Sequence, residues 1–208
     1  MMAKGSGMAA KAKKRPPTEA HDEKRSEIVE RGATLFDRMG YYNTSMQMLA
    51  DEVGLSKPTL YHYFPSKISI LYAIHDSYIR ALLDGLKHEE GDDPFTSLRS
   101  ACVDILRQIA THPGYVRAFM DNYTDLEGEM RDLIRTARRE YFISLKGIIV
   151  EGIASGRIRD CDPVITAYAF LGMCNWAYKW YPPLADKRTP EDVADALCLS
   201  FFEGLRAR

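Results

Sequence analysis

Apolar residues return at helical spacing along almost the whole chain. From about Asp22 to Met39 the inward positions are Ile28, Leu35, Phe36 and Met39, with Gly40 as a stop. Two short segments follow. Met48, Leu49 and Val53 line the first, with Ala50 small where a partner must cross, and Leu60 anchors the second. A longer stripe of Ile70, Leu71, Ile74, Tyr78 and Leu82 runs from Lys67 toward Gly85. The same period continues over Pro94 to Ala110, after Pro113, from about Asp125 to Ser155, from Pro163 to Tyr181 and from Pro190 to Arg206. Asp93-Pro94, Asp162-Pro163 and Thr189-Pro190 each read as a cap followed by a first-turn proline, while Gly156 and Pro182-Pro183 read as stops. No alternating strand pattern competes, so the expectation is an all-α fold of about nine helices without a sheet.

The segment from Thr44 to Lys67 has the grammar of a helix-turn-helix. Thr44 is the expected N-cap, with Gln47 returning the bond as in a capping box. Gly54 ends the first helix because only glycine turns left-handed there at little cost. Ser56 caps the second helix, Pro58 sits in its first turn, and Ser66 caps the third. The second helix ends in Tyr61-His62-Tyr63-Phe64. Successive helical positions fan out by about 100°, so four rings in a row cannot all reach one core and some must face outward. Lys57 and Lys67 fall at helix starts, where a cation opposes the helix dipole by roughly 0.3–1 kcal/mol. A polyanion lying across these ends turns that penalty into attraction, and two helices crossing through such a turn match major-groove recognition.

The 208 residues, 46% of them hydrophobic, suffice for one large or two small domains. No apolar run approaches the roughly 18–20 residues needed to span a bilayer, and the N-terminus lacks the apolar core of a secretory signal, so the expected setting is cytoplasmic without membrane contact. A net charge of −1 conceals an uneven distribution: residues 1 to 67 hold eleven Lys/Arg against eight Asp/Glu, and the remainder seventeen against twenty-one. A basic front on an acidic body suits phosphate contact at one end. Residues 1–21 read as a basic arm ending in Lys13-Lys14-Arg15-Pro16-Pro17, either a solvated tail or a segment following DNA; residues 22–84 read as the helix-turn-helix domain and 85–208 as a second, larger helical domain. Cys102, Cys161, Cys174 and Cys198 are far apart, and the five histidines are scattered. No metal-ligand spacing, phosphate loop or nucleophile motif appears, so no metal, cofactor or enzymatic activity is expected.

Residues 24 to 84 resemble the DNA-binding domain of TetR-type transcriptional regulators. The resemblance is carried by Ile28-Val29, Gly32-Ala33 and Leu35-Phe36, by Gly40-Tyr41 before Thr44, and by the run from Leu49-Ala50 through Gly54-Leu55-Ser56-Lys57-Pro58-Thr59-Leu60-Tyr61 to Tyr63-Phe64 and Ser66-Lys67. It implies an all-helical homodimer joined through its last two helices, double-stranded operator DNA as one partner and a small-molecule effector as the other. By position it makes Thr59, Tyr61 and Lys67 phosphate contacts and puts Lys57, His62 and Tyr63 near base edges or backbone, with Thr44, Ser45, Gln47 and Pro58 completing the DNA-facing set.

The segment Gly172-Met173-Cys174-Asn175-Trp176-Ala177-Tyr178-Lys179-Trp180-Tyr181-Pro182 carries a second pattern. Trp176 and Trp180, four residues apart, share a helix face, which Gly172 extends as a point of close approach. The segment resembles the eighth helix of the TetR-type branch that senses acyl-CoA thioesters and controls fatty-acid, sterol or aromatic catabolism. That resemblance implies a site with Asn175, Trp176 and Trp180 along its wall and Arg135, Arg138, Arg139 and Lys179 at an anion-binding mouth. The same aromatic stripe reads equally as dimer core. The expected function is a repressor released from its operator by a hydrophobic or acyl-CoA effector, with a cysteine-based redox-sensing repressor as the rival.

Overall fold

The computed structural model describes residues 17–206. Among them are nine α-helices: α1 (Pro17–Met39), α2 (Met46–Glu52), α3 (Lys57–Tyr63), α4 (Lys67–Gly85), α5 (Pro94–Thr111), α6 (Pro113–Asp121), α7 (Gly128–Ala154), α8 (Pro163–Trp180) and α9 (Pro190–Glu203). Short 3-10 turns occur at Tyr123–Asp125 and Pro182–Leu184. The all-α expectation holds; the one β-type pairing among the described residues is an isolated antiparallel bridge between Ile158 and Arg206. That bridge draws the chain away from the helix at Glu203, short of the expected end at Arg206. The first helix starts at Pro17 rather than near Asp22, so the last residues assigned to the basic arm are helical, and Lys13 to Pro16 lie outside the described residues.

Caps set most boundaries where the spacing predicts them. Ser56 accepts from the Thr59 amide, Ser66 and Ser69 form a reciprocal box, Asp93 accepts from Thr96, Asp162 from Val164 and Ile165, and Thr189 pairs with Asp192. Gly54 takes the left-handed conformation, φ +66°. The cap of α2 is a correction: Ser45, not Thr44, accepts from the Met48 amide. Thr44 is buried and its hydroxyl donates to the Gly40 carbonyl at 2.9 Å. Gln47 accordingly bonds forward to Asp51 at 2.8 Å instead of back to a cap.

Burial supplies the driving force for holding these helices together. Leu49, Ala50, Val53, Leu60 and Phe64 pack with Ile28, Phe36, Ile70 and Leu71 in one hydrophobic cluster that continues into the body through Ile74, Tyr78, Leu106, Phe119 and Ile149. The helix α4 belongs to both halves, packing on α1 as well as on α6 and α7. A second junction is tighter. Gly114 of α6 lies against the α1 backbone so closely that a Cβ there would stand 2.6 Å from the Ala33 carbonyl oxygen.

Candidate nucleic-acid interface and effector region

The row of rings at the end of α3 divides as the helical fan-out requires. Phe64 is fully buried, Tyr63 is half-buried and stacked on His21 of α1 with ring centroids 4.8 Å apart, and Tyr61 (44% exposed) and His62 face outward. Lys57 and Pro58 are also exposed, as are Ser45 and Gln47 at the start of α2. Thr59 is less open: its hydroxyl shares a 2.7 Å hydrogen bond with the cap oxygen of Ser56.

Behind this surface, cations of α1 hold the exposed ends of α2 and α3. Lys24 Nζ donates to the Val53 carbonyl (3.3 Å), Arg31 to the Glu52 carbonyl (3.0 Å) and Arg25 to the Tyr63 carbonyl (3.4 Å). Arg25 also stacks its guanidinium 4.1 Å above the Phe64 ring. The last carbonyls of a helix lack intrahelical partners and carry partial negative charge, so cations satisfy them on both counts. Sequence reasoning missed these roles because their acceptors are backbone atoms. The basic excess of the first 67 residues is therefore not all aimed at a partner. Among the described cations of residues 17–67, Lys57 alone makes no hydrogen bond or ion pair.

Lys67 needs a correction of the same kind. Its position is accounted for by packing: Nζ donates to the Tyr41 carbonyl (2.7 Å) and the Thr44 carbonyl (2.9 Å) and lies 4.3 Å from the centre of the Tyr41 ring. Desolvation lowers the Lys67 pKa, an effect that Asp125 opposes. The ammonium thus ties down the loop that precedes α2. Thr44, being buried, offers no surface to a duplex. The outer face of α1 is electrostatically unsuited to a polyanion, because Glu19, Asp22, Glu23, Glu27 and Glu30 line one shallow depression there, which leaves the α2–α3 side as the candidate interface.

The loop before α2 is also joined to the body. The Tyr42 hydroxyl donates to the Asp125 carboxylate, a bond that raises the Tyr42 pKa, and Asn122 holds the other oxygen of that carboxylate at 2.8 Å. Arg131 of α7 donates to the Thr124 and Leu126 carbonyls, fastening the Tyr123–Asp125 turn to the body.

The residues expected to line an effector site do not come together. Trp176 is 63% exposed on the outside of α8, whereas Trp180 is half-buried with its ring edge-on to Tyr181. Asn175 is half-buried between them in sequence. A Cβ on Gly172 would meet nothing within 4 Å, so the close approach expected there is absent among the described residues. Of the presumed mouth, Arg135 is exposed and paired with Asp132 at 2.9 Å, Arg139 is exposed, and Lys179 reaches Asp121 at 3.5 Å.

Arg138 differs from its neighbours. It occupies the inward stripe Ile134, Arg138, Tyr141, Leu145 of α7, a polar residue in phase with three buried ones, and that phase was the signal available in the sequence. Its guanidinium lies 4.5 Å from the ring centres of both Phe119 and Tyr123. His75 and Tyr78 of α4 face the same rings: Phe119 is 5.2 Å from His75 and 4.6 Å from Tyr78, centre to centre. Burial, reinforced by the Arg138 charge, pushes the His75 pKa down to about 3, and burial raises that of Tyr78.

The cysteines also cluster in part. Cys102 of α5 reaches both Cys174 of α8 and Cys198 of α9, and all three are buried. The Cys174 contact and burial push the Cys102 thiol well up against an opposing effect of Cys198, and the Cys102 contact and burial push the Cys198 thiol well up, both away from the reactive thiolate. No group of His, Cys, Asp or Glu among the described residues could hold a metal ion, and no helix there is long and apolar enough to cross a membrane.

Two family models match the chain: "Bacterial regulatory proteins, tetR family" over residues 28–74 and "Tetracyclin repressor-like, C-terminal domain" over residues 91–205. The HTH-type transcriptional repressor KstR2 of Rhodococcus jostii is 28% identical, the alignment covering 88% of this chain and 91% of that protein. Among solved structures, the TetR family transcriptional regulator PfmR from Thermus thermophilus superposes with a TM-score of 0.79 at 30% identity, over 85% of this chain and 97% of that one. AibR, solved in complex with isovaleryl coenzyme A and operator DNA, gives a TM-score of 0.76 at 28% identity, over 86% and 98%.

Proposed function

The chain belongs to the TetR family of bacterial regulatory proteins, a family of ligand-responsive transcriptional regulators rather than enzymes, and on that premise we propose which surfaces it uses. Operator DNA meets the face formed by Ser45, Gln47, Lys57, Pro58, Thr59, Tyr61, His62 and Tyr63. The observation that carries this assignment is the contrast among the described cations of residues 17–67, where Lys57 stands unpaired beside outward Tyr61 and His62 while the others are tied to backbone carbonyls and carboxylates. Thr44 and Lys67 are left out of the contact set; they support it from behind.

Two copies are needed to grip a near-palindromic site with half-sites about one helical turn, roughly 34 Å, apart. The dimer face we assign is the outer stripe of α8 and α9: Ile165, Tyr168, Trp176 and Leu199 are each at least 60% exposed. Apolar side chains grouped in this way mark an interaction surface. Trp176 thereby moves from the effector wall to the subunit contact.

The regulator acts as a repressor released by an acyl-CoA or related hydrophobic effector of lipid, sterol or aromatic catabolism. AibR, whose structure holds isovaleryl coenzyme A, supports this reading at 28% identity. A redox-sensing repressor is less well supported, since the clustered thiols are buried and two of them, Cys102 and Cys198, are pushed away from the thiolate. The test is selection of duplexes from a random pool by the purified protein, followed by titration of CoA thioesters, with free CoA as control. A two-fold symmetric site whose binding is lost in Lys57→Ala and Tyr61→Ala, and weakened by a thioester but not by CoA, supports the proposal. Release by free CoA, or selection of no symmetric site, counts against it.

A further inference from the structure

Three buried polar groups meet inside the body without hydrogen-bond partners: both ring nitrogens of His75, the Tyr78 hydroxyl and Nη1 of Arg138. His75 and Tyr78 are almost completely buried, and the one backbone group acting on His75 is that of Ala118. Buried polar groups are nearly always satisfied in folded proteins, and three orphans in one place call for a partner from outside. The charge is the strongest demand. Desolvation lowers the Arg138 pKa, and the groups that oppose it are the Tyr123 and Tyr78 hydroxyls, with no carboxylate among them. Two aromatic faces compensate a guanidinium only in part, each contributing on the order of 0.5–2 kcal/mol, less than a charge-assisted pair supplies.

The residue as a whole remains partly exposed, so the group has a route to solvent. A cleft of about 250 Å³ between α1, α4, α5 and α6 has Tyr78 in its lining, but none of His75, Phe119, Tyr123 or Arg138.

We propose that Arg138, with Tyr78 and His75, forms a receptor for a carboxylate carried on an apolar body. The guanidinium supplies the two-pronged donor that a carboxylate matches, the Tyr78 hydroxyl a further donor, and the neutral imidazole one N–H. Phe119 and Tyr123 pack against the apolar part. The inference rests on the effector-binding reading above and narrows it, since either a free carboxylic acid or an acyl-CoA with a second, terminal carboxylate meets the requirement. Occupancy also reaches the DNA end. A carboxylate that draws Arg138 from the Tyr123 ring disturbs the Tyr123–Asp125 turn, and Asp125 holds Tyr42 in the loop before α2.

The experiment is thermal unfolding of the full chain and of Arg138→Met, with octanoate, octanamide, octanoyl-CoA and the mono-CoA thioester of octanedioic acid as probes. Octanoate or the carboxyl-bearing thioester should stabilise the native protein, octanamide should not, and the response should weaken by about tenfold or more in concentration in Arg138→Met. Without ligand, Arg138→Met should melt at the same temperature or higher, because it removes a buried charge that has no counter-ion. Tyr78→Phe, which keeps the ring, provides a milder variant with a smaller loss of octanoate response. An octanoate response equal in native protein and Arg138→Met, or none from either carboxylate probe, overturns the receptor. If octanoyl-CoA then stabilises both proteins alike, the acyl-CoA reading stands without it; if octanoate alone acts, the receptor stands and the CoA reading falls.

Discussion

Replacing Lys67 by Met keeps the stem against the Tyr41 ring and deletes the ammonium, which separates tethering from DNA contact. Two hydrogen bonds from a charged donor are lost, to the Tyr41 carbonyl at 2.7 Å and the Thr44 carbonyl at 2.9 Å, along with a cation 4.3 Å from the Tyr41 ring centre. Bonds to charged groups contribute about 1.5–3 kcal/mol each. Lys67 is only partly buried and the Tyr41 carbonyl also accepts from the Thr44 amide, so the lower end applies to each, about 3 kcal/mol together. For a chain of this length, that corresponds to a melting temperature lower by roughly 6–12 °C. Operator affinity should fall as the loop before α2 loosens, yet the dependence of log Kd on log salt should stay parallel to that of the native protein. Lys57→Met should do the reverse, leaving the melting temperature within about 2 °C and reducing the slope by about one. Scanning fluorimetry and fluorescence anisotropy at four salt concentrations give both readouts. A Lys67→Met protein of native stability whose salt slope drops by about one refutes the reasoning and returns Lys67 to the phosphate backbone.

Three further outcomes are expected. The His75 pKa, about 3 in the folded chain against 6.5 for the free group, means the unfolded chain takes up the proton first; its stabilising share is complete above about pH 6.5 and is lost as pH falls toward 3, about 2 kcal/mol of it by pH 5. Denaturant titrations of His75→Phe at pH 7 and pH 5 should therefore differ less than those of the native chain, and an equal difference excludes this assignment. Gly114→Ala puts a methyl 2.6 Å from the Ala33 carbonyl oxygen and should cost about 1–3 kcal/mol; an unchanged melting temperature means that α1 and α6 part freely. Trp176→Glu should convert dimers to monomers in light scattering, and a persistent dimer moves the subunit contact away from α8.

The helices were legible because their punctuation is local: a cap, a first-turn proline or a left-handed glycine acts within one turn and leaves its mark in adjacent letters. The fan-out of Tyr61 to Phe64 was legible for the same reason, being fixed by helical geometry. Thr44 and Ser45 are equally good cap residues by type, and the choice fell to the Thr44 side chain, which bonds back to Gly40 as the loop folds under it. The destinations of Lys24, Arg25, Arg31 and Lys67 were hidden, since each ends on a backbone carbonyl that any residue type supplies. Trp176 and Trp180 follow the right spacing for a shared face, but that face straddles the edge of the buried stripe, and the two rings meet different surroundings. Arg138 was readable from its phase with Ile134 and Tyr141, which sets it apart from the exposed Arg135 and Arg139.

The seven-residue helices α2 and α3 are far too short to persist alone, and their inner sides, end carbonyls and entry loop are all secured by α1 and α4. Their outer side chains are consequently spared any duty in keeping the chain folded. Lys57, Tyr61 and His62 can be exchanged with little penalty to the scaffold, so operator preference is free to drift through evolution, or to be re-engineered, while the architecture beneath stays constant.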